Sequence, residues 1–393
     1  MIQTATISNR VKDLSNTSVL MLSIDQTLVG GQKLGDAIAR HQRYGDFLKC
    51  LDILVYSNKN QRLKQFSISD KVIGYPSNSL NKLTFLFGAR KLAKKIIKER
   101  QTDLIICQDP FVLSLLGVWL KKKFKIKLLI HFHGDFWDNS NWLKERLINR
   151  LFLWISKYTV QRADAVRVMS QGQKEKLIKA GIEEKKIQVI STPVDVSRFE
   201  NYDNQEQMKT LLDMQEGKKM ILMVGRKDKV KDFDTLFRAM TIVHQKNKDA
   251  GLWLVGNYSP EDELPLPKDM KIIISGRVDS LDLPAYYKIS YLTVLSSTSE
   301  SFGKVLVEAN VCGKPVVSTA TTGAKEIIKN DHNGYLVPIG DAQALADKIL
   351  YLLRYPDEAR IMGENGRRLI QQKFGDNMQI IVQFWNQIVN NQL

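Results

Sequence analysis

Two glutamates separated by seven residues mark the strongest candidate site in the sequence. Glu300 lies in a polar run after a predicted strand, and Glu308 lies in the helix predicted to follow. Two carboxylates placed in this way can accept hydrogen bonds from hydroxyl groups at opposite ends of one ligand, such as a sugar ring and a ribose. Between them, Gly303 leaves backbone N–H groups at the helix start open to a phosphate. The structural alternative is a capping box of Ser297 with Glu300 and an ion pair of Lys304 with Glu308.

A second candidate combines two basic residues that follow another predicted strand, Met220–Val224. Arg226 comes directly after this strand and Gly225, and Lys231 lies five residues further on. An arginine offers a bidentate fork and a lysine a point charge, so the two would flank a diphosphate at the strand end. Asp232 is then predicted to be the N-cap of the next helix. The alternative is a solvated basic loop, because further lysines are interleaved.

Two features of the first half also lie at predicted strand ends. His133 precedes a glycine at the end of Lys127–Phe132, where it can donate to or accept from a ligand. A core or surface histidine is the alternative. Gly31 follows Gly30 in the loop after the first predicted strand, and paired glycines let the backbone approach a ligand closely. A simple turn is the alternative there.

Several motifs of other enzyme classes are absent from the sequence. There is no G-x-G-x-x-G, Walker A, G-x-S-x-G or H-E-x-x-H pattern and no kinase signature set. The three cysteines, Cys50, Cys107 and Cys312, are far apart and form no C-x-x-C pair, which argues against a zinc site or a disulfide framework. We therefore expect neither a dinucleotide cofactor nor a metal.

Short apolar runs alternate with amphipathic patterns along the whole chain. The predicted strands of the first half are Ser18–Ile24, Ile53–Ser57, Leu104–Cys107, Lys127–Phe132, Ala165–Val168 and Gln188–Ile190. Those of the second half are Met220–Val224, Leu252–Val255, Lys271–Ile274, Leu292–Leu295, Pro315–Ser318 and Gly334–Val337. Helical patterns such as Leu83–Glu99 and Trp142–Arg162 separate them. This alternation predicts an α/β protein with parallel sheets covered by helices on both faces.

The alternation restarts after Ser191-Thr192-Pro193. We therefore predict two Rossmann-like domains, residues 1–195 and 196–373, that face a cleft. A C-terminal crossover helix, residues 374–393, is predicted to pack back on the first domain. In such sheets ligands bind at the carboxyl ends of the strands, which is where the candidate residues lie.

The charge of the chain is strongly uneven. The 393 residues carry a net charge of +16, and residues 1–200 contain 34 lysines and arginines against 18 acidic residues. A basic first half indicates an anionic partner, such as a phosphorylated substrate, lipid headgroups or nucleic acid, and solubilising charge is the alternative. No apolar run is long enough to span a membrane, and the first 17 residues are polar. We expect a cytoplasmic protein, either free or peripheral at the inner face of a membrane.

Taken together, the motifs resemble those of retaining glycosyltransferases with the GT-B fold, in glycosyltransferase family 4, the group 1 transferases. The run from Glu300 to Glu308 resembles the E-x7-E motif of this family. The match continues through Gly313-Lys314-Pro315-Val316-Val317-Ser318, Gly323, Glu326-Ile327-Ile328 and Asn333-Gly334-Tyr335-Leu336-Val337. The basic pair after Gly225 and the His-Gly pair at 133–134 occur in the expected order. The resemblance covers nearly the whole chain and is most specific from about 219 to 375.

The resemblance implies a role for each matching residue of the second domain, which would bind a nucleotide sugar. Glu308 would bind the ribose hydroxyls, and Glu300 the hydroxyls of the donor sugar. Arg226 and Lys231 would neutralise the diphosphate, including the charge that develops as it leaves. Backbone N–H groups would meet the sugar and the distal phosphate, from Phe302, Gly303, Lys304 and Val305.

The first domain would bind the acceptor. By the same resemblance, His133 would hydrogen-bond the donor sugar near the reaction centre, Gly31 would approach the phosphate, and Val278 would contact the base. The sequence departs from the family pattern in three places: Lys304 replaces a small apolar residue, Thr192-Pro193 replaces Asn-Gly, and Asp232 replaces a frequent glycine.

The implied reaction is transfer of a sugar, with retention of configuration, from a nucleotide-diphosphate sugar to a hydroxyl of a glycan or lipid-linked acceptor. A hexose is the expected sugar, polysaccharide or lipopolysaccharide synthesis the expected setting, and no metal is required in this family. Two alternatives stay open. One is an epimerase or phosphorylase on the same fold, and the other is a non-catalytic binder of anionic surfaces or nucleic acid.

The basic excess of the first half is concentrated in two segments. Arg90 and Lys94, with other lysines, lie on the helical pattern Leu83–Glu99, and five lysines lie between Lys121 and Lys127. A basic amphipathic helix can lie on an anionic membrane. The alternative is a helix whose apolar face packs on the sheet and whose lysines are solvated.

Overall fold

The computed structural model describes residues 11–30, 36–259, 261–373 and 377–392. The chain divides into two compact units: Met1–Ile190 with Met378–Leu393, and Ser191–Asn377. Within the described ranges, no helix combines the length and the apolar character needed to cross a bilayer.

The first unit is built on an eight-stranded sheet. Its strands are β1 (Ser18–Ser23), β2 (Cys50–Val55), β3 (Phe66–Ser69), β4 (Val72–Pro76), β5 (Leu104–Cys107), β6 (Lys127–Phe132), β7 (Ala165–Val168) and β8 (Ile187–Val189). They lie in the order β3-β4-β2-β1-β5-β6-β7-β8. All pairs are parallel except β3–β4, which is antiparallel.

Helices cover both faces of this sheet. They are α1 (Ala37–Asp46), α2 (Lys82–Arg100), α3 (Val112–Phe124), α4 (Ser140–Glu145), α5 (Ile148–Arg162) and α6 (Gln171–Lys179). Successive side chains of β1 point to opposite faces: Leu20 and Leu22 join the core beneath α2, α3, α5 and α6, whereas Val19 and Met21 join the core beneath α1. Both faces are buried, so the strands read as continuous apolar runs.

The second unit is built on a fully parallel six-stranded sheet. Its strands are β9 (Lys219–Val224), β10 (Ala250–Val255), β11 (Ile272–Gly276), β12 (Leu292–Leu295), β13 (Val316–Thr319) and β14 (Gly334–Val337), in the order β11-β10-β9-β12-β13-β14. Its helices are α7 (Val196–Glu200), α8 (Gln205–Gln215), α9 (Phe233–Lys246), α10 (Leu283–Ile289), α11 (Lys304–Val311), α12 (Ala324–Ile327), α13 (Ala342–Arg354) and α14 (Pro356–Lys373). Two parallel α/β sheets confirm the predicted fold class.

The last helix of the chain, α15 (Met378–Val389), belongs to the first unit. Its apolar residues Ile381, Phe384, Trp385 and Ile388 are buried in the core beneath α1, and the Trp385 ring lies 5.0 Å from the ring of Tyr44. The predicted return of the C-terminal helix to the first domain is therefore confirmed. Residues 374–376 of the predicted helix lie outside the described ranges.

Apart from shifts of one to three residues in strand bounds, the structure differs from the sequence prediction at two places in the first unit. The helix predicted over Trp142–Arg162 is two helices, because Arg146 is extended (φ −150°, ψ 137°) and ends α4. Asn149 bridges the break by donating from its side chain to the Trp142 carbonyl at 2.6 Å. The hairpin β3–β4 was not predicted, since its strands are short and half polar and contain Gly74.

Candidate active site

Two segments meet at the carboxyl ends of neighbouring strands in the second unit. β9 and β12 pair in parallel, so the segments that follow them emerge at the same edge of the sheet. The 3-10 turn Lys229–Lys231 follows β9, and the loop 296–303 follows β12. Thr298 donates its N–H to the Val230 carbonyl at 2.8 Å, and the Ser296 hydroxyl donates to the last carbonyl of the turn at 2.7 Å. These bonds tie the two segments together.

The tied segments bring Lys231 and Glu300 into contact. The Lys231 ammonium donates to Glu300 Oε1, and the Ser297 hydroxyl donates to the same oxygen at 2.9 Å. The lysine and glutamate side chains are 16% and 17% exposed, so a ligand could reach both. Ser297 and Glu300 do not form a capping box, because the helix begins only at Lys304. That structural alternative was wrong.

The start of α11 presents backbone N–H groups without a side-chain cap. Gly303 is the N-cap with φ 87°, a left-handed conformation that favours glycine. A Cβ at Gly323 would lie 2.4 Å from the Phe302 nitrogen, so only a glycine lets the following turn approach this backbone. Lys304 and Val305, the first residues of α11, are half-buried. The predicted helix start after the loop is thus present, with a glycine as its N-cap.

Glu308 is held inside the same unit by two partners. It is 3% exposed, its Oε2 accepts from the Tyr287 hydroxyl at 2.8 Å, and its Oε1 lies 3.6 Å from the Lys304 ammonium. The Lys304–Glu308 pair is the structural alternative considered above, and it is present. Burial first, and then the negative charge of Glu308, raise the pKa of Tyr287, so the phenol keeps its proton and remains a donor.

Arg226 and Val278 lie in the second unit without joining the Lys231–Glu300 contact. The Arg226 side chain is 86% exposed, and its closest ion-pair partner is Asp228 at 3.8 Å. Val278 is half-buried in the loop after β11. Both residues therefore follow the carboxyl ends of parallel strands, as the sequence predicts.

His133 follows β6 in the first unit and contacts Gln108, which follows β5. The His133 Nε2 lies 2.6 Å from the Gln108 Oε1, so this nitrogen is the donor. The His133 residue is exposed to solvent, and the pKa of its ring is lowered by local desolvation and then by the positive charges of Arg167 and Arg40. The imidazole is therefore neutral at pH 7. Gly31 lies outside the described residues.

Sequence reasoning missed two partners of these side chains. Tyr287, in α10, holds Glu308, but a tyrosine in an amphipathic helix carries no mark of this contact. Gln108, which holds His133, comes directly after β5. The rule that ligands bind at strand ends would have found Gln108.

Comparison with known families decides the classification. The model described as Glycosyltransferase Family 4 matches residues 51–198, and the model described as Glycosyl transferases group 1 matches residues 204–369. The chain belongs to the group 1 glycosyltransferases. The resemblance carried by the E-x7-E glutamates, which both lie in the second matched range, is confirmed.

Curated relatives of this group 1 glycosyltransferase include a glucosaminyl malate synthase and a capsular polysaccharide glycosyltransferase. It is 28% identical over 259 residues to the N-acetyl-alpha-D-glucosaminyl L-malate synthase of Bacillus anthracis, an alignment that covers 64% of each chain. It is 26% identical over 299 residues to the capsular polysaccharide biosynthesis glycosyltransferase CapM of Staphylococcus aureus, covering 66% of this chain and 78% of the relative.

Solved structures support the fold of this group 1 glycosyltransferase. The sucrose-phosphate synthase of Thermosynechococcus elongatus superposes with a TM-score of 0.79 at 21% identity, covering 96% of this chain and 99% of that one. Anabaena HepE in complex with UDP-glucose superposes with a TM-score of 0.73 at 19% identity, covering 96% and 100%. The predicted GT-B fold is therefore confirmed.

Proposed function

We propose that this group 1 glycosyltransferase moves a hexose, with retention of configuration, from a nucleotide-diphosphate sugar to a hydroxyl of a glycan or lipid-linked acceptor. The observation that carries the proposal is the arrangement at the edge of the second sheet. Two carboxylates, Glu300 and Glu308, flank an uncapped helix start, and Lys231 contacts the first of them. Hydroxyl acceptors, N–H donors and a cation are what a sugar diphosphate requires.

In this proposal each group of the edge meets one part of the donor. Glu308 accepts from the ribose hydroxyls, and Glu300 accepts from the hydroxyls of the sugar. Lys231 and Arg226 bind the diphosphate, and their positive charge stabilises it as it leaves. His133 binds the donor sugar by its neutral imidazole.

The proposed sugar transfer needs no nucleophile from the enzyme. The bond between the anomeric carbon and the diphosphate oxygen breaks, and a bond from the acceptor oxygen to the same face of that carbon forms. The acceptor hydroxyl proton passes to the leaving phosphate oxygen. The protein supplies positioning and electrostatic stabilisation, which are the largest contributions to catalysis in such transfers.

The donor is proposed to be a uridine-diphosphate sugar, because the similar Anabaena structure contains UDP-glucose. A thermal-shift screen of UDP, GDP and ADP is expected to show the largest stabilisation by UDP. Incubation with UDP-glucose and water or candidate acceptors is then expected to release UDP, with α-linked glucose in the product by NMR.

Three results would contradict the proposal. If none of the nucleotides raised the Tm of the protein, the proposed donor site would be excluded. Isomerisation of the sugar without release of UDP would identify an epimerase. A product of inverted configuration would leave transfer in place but overturn retention.

A further inference from the structure

The outer side of α5 carries an apolar stripe that does not pack on the core of the first unit. The stripe consists of five residues that are adjacent or three to four positions apart. They are Leu147 (82% exposed), Ile148 (47%), Leu151 (50%), Trp154 (65%) and Tyr158 (36%). The opposite side of the helix is in the core, where Val160 is buried and the Thr159 hydroxyl donates to the Pro110 carbonyl at 2.7 Å. A contiguous apolar patch of this kind marks an interaction surface.

The stripe ends in a row of stacked side chains. The rings of Trp154 and Tyr158 are 6.2 Å apart and nearly parallel, at 19°. The Arg162 guanidinium lies 3.8 Å from the centre of the Tyr158 ring. Aromatic rings with one polar end, next to a cation, are the side chains that favour the boundary between hydrocarbon and water.

Lysines of the neighbouring helix α3 border the stripe. Lys122 and Lys125 line a groove of about 620 Å³ together with Tyr158 and Arg162. Lys121 lines it too and pairs with Asp164, the acidic residue of the groove, at 2.8 Å. The segment 140–162 itself contains five basic residues against one acidic residue, and 119–127 contains five lysines and no acidic residue. The apolar stripe is therefore bordered by positive charge.

The positive charge continues from α3 onto α2. Arg90, Lys94 and Lys123 lie 5.0, 5.2 and 5.3 Å from the centre of the Trp119 ring. The positive charge of Lys123 is the main cause that lowers the pKa of Lys94, so the cations repel one another. An anionic surface would relieve this repulsion.

The apolar face of α2 is not the membrane-binding face considered from the sequence. Phe85, Ala89, Ala93 and Ile96 of α2 are buried against the sheet, as the alternative interpretation expected. Most exposed apolar side chains of this helical layer lie instead on α5, and Phe87 of α2 is also exposed. The cations are supplied by α2 and α3.

We propose that the outer surface of α2, α3 and α5 docks on an anionic lipid bilayer. The stripe enters the boundary between headgroups and hydrocarbon, and the lysines and arginines of α2 and α3 contact lipid phosphates. The pairing of an apolar, aromatic centre with a cationic border matches this partner and not a zwitterionic bilayer. The proposal does not depend on the sugar donor.

The test is co-sedimentation of the 393-residue chain with two kinds of vesicle. We expect binding to phosphatidylcholine vesicles that contain a third of phosphatidylglycerol, and none to pure phosphatidylcholine. Each lysine near a charged surface changes the partition coefficient about fivefold, so Lys122→Glu with Lys125→Glu should lower it at least tenfold. Leu151→Glu with Trp154→Glu should do the same by removing the apolar contact.

A matched control lies on α8 of the second unit. Leu212 is 49% exposed and Lys209 is also exposed, but they belong to no such stripe. The variant Leu212→Glu with Lys209→Glu should bind vesicles as the original chain does, and circular dichroism should show that all three variants are folded. Equal binding to both vesicle types, or unchanged binding of the α3 and α5 variants, would overturn the proposal. A dimer in light scattering that Leu151→Glu with Trp154→Glu dissociates would assign the stripe to a second copy and also overturn it.

Discussion

The side chains at the carboxyl ends of β9 and β12 are held by one another as well as by the backbone. Lys231 and Glu300 neutralise each other, and the Ser297 hydroxyl holds Glu300 from a second side. A diphosphate that entered this edge would add negative charge next to Lys231. We infer that the lysine would then be shared between the carboxylate and the phosphate, and that Ser297 would keep Glu300 in place.

Removal of the Lys231 charge is expected to affect turnover more than folding. Lys231→Ala should lower kcat/KM for the sugar donor at least 100-fold, because the departing diphosphate loses a cation in the transition state. Lys229→Ala is the control, since this lysine lies in the same turn and is exposed. Wild-type kcat/KM in Lys231→Ala would contradict the proposed diphosphate role.

Glu308 is expected to contribute to binding of the nucleotide itself. Glu308→Gln keeps the volume and an acceptor for the Tyr287 hydroxyl but loses the charge. Loss of a charged hydrogen bond to the ribose should weaken binding of the preferred nucleotide diphosphate by about 1.5–3 kcal/mol in calorimetry. Tyr287→Phe should weaken it less, because it removes only the group that orients the carboxylate. An unchanged Kd for Glu308→Gln would exclude the ribose assignment.

At the scale of elements, Asp232 explains how α9 starts despite a departure from the family pattern. Asp232 has φ 45°, a conformation in which a glycine costs less than other residues. Its side chain compensates, because Oδ1 accepts from the Thr235 N–H at 3.3 Å and Oδ2 accepts from the Thr235 hydroxyl at 2.7 Å. Compared with a glycine, Asp232 is less favourable in this backbone conformation, but its side chain caps α9.

This exchange predicts an order of stability among three variants. Asp232→Ala loses the cap and keeps the left-handed backbone, so it should cost about 1–2 kcal/mol in urea unfolding. Asp232→Asn keeps the cap and should stay within about 0.5 kcal/mol of the original chain. Asp232→Gly should fall between them. If the alanine variant were as stable as the asparagine variant, the cap would have no role in stability.

The sequence predicted the elements that are buried on both faces and missed those that are not. The central strands were found because parallel, doubly covered strands are continuous apolar runs. The edge hairpin β3–β4 was missed because the polar serines of β3 give it a composition that is also typical of a loop. The same distinction holds for the site. Residues after strands, such as Glu300 and Lys231, could be predicted from position, whereas Tyr287 depends on packing of α10 that no local pattern encodes.

At the scale of the whole molecule, the first unit contains buried histidines that stay neutral. Burial, and then the charge of Arg40, lower the pKa of His41 to about 4, and burial and Arg167 lower the pKa of His131 well below its usual value. Burial raises the pKa of Asp109 to about 6. Mild acid therefore favours the folded state through this carboxyl, whereas it disfavours the folded state through the histidines. The acid stability of the unit depends on the balance of these groups.

Acidification is expected to destabilise the first unit through its histidines. Below the ordinary histidine pKa of about 6.5, the unfolded chain binds protons that His131 in the folded chain does not, so the free energy of unfolding falls by up to about 1.4 kcal/mol per pH unit for this residue. His131→Gln removes this contribution, and its Tm should therefore depend less steeply on pH between 6.5 and 5. Parallel Tm profiles for the two proteins would show that His131 does not couple to folding.

The C-terminal helix is expected to decide whether the first unit folds. Ending the chain at Asn377 would remove Trp385 and Phe384, which are 0% and 3% exposed, from the core beneath α1. Proteolysis of this truncated chain should degrade the first unit and leave a resistant fragment that begins near Ser191. Equal resistance of both units would mean that α15 is dispensable.

The return of α15 also sets an order of events during synthesis. The residues of the second unit are contiguous, so this unit is complete in sequence before the ribosome releases the last helix. The first unit begins earlier, but the helix that covers one face of its core is absent until α15 has been synthesised. We therefore expect the usual order, in which the N-terminal domain folds first, to be reversed here. Until α15 emerges, the apolar face of the earlier half is exposed to aggregation.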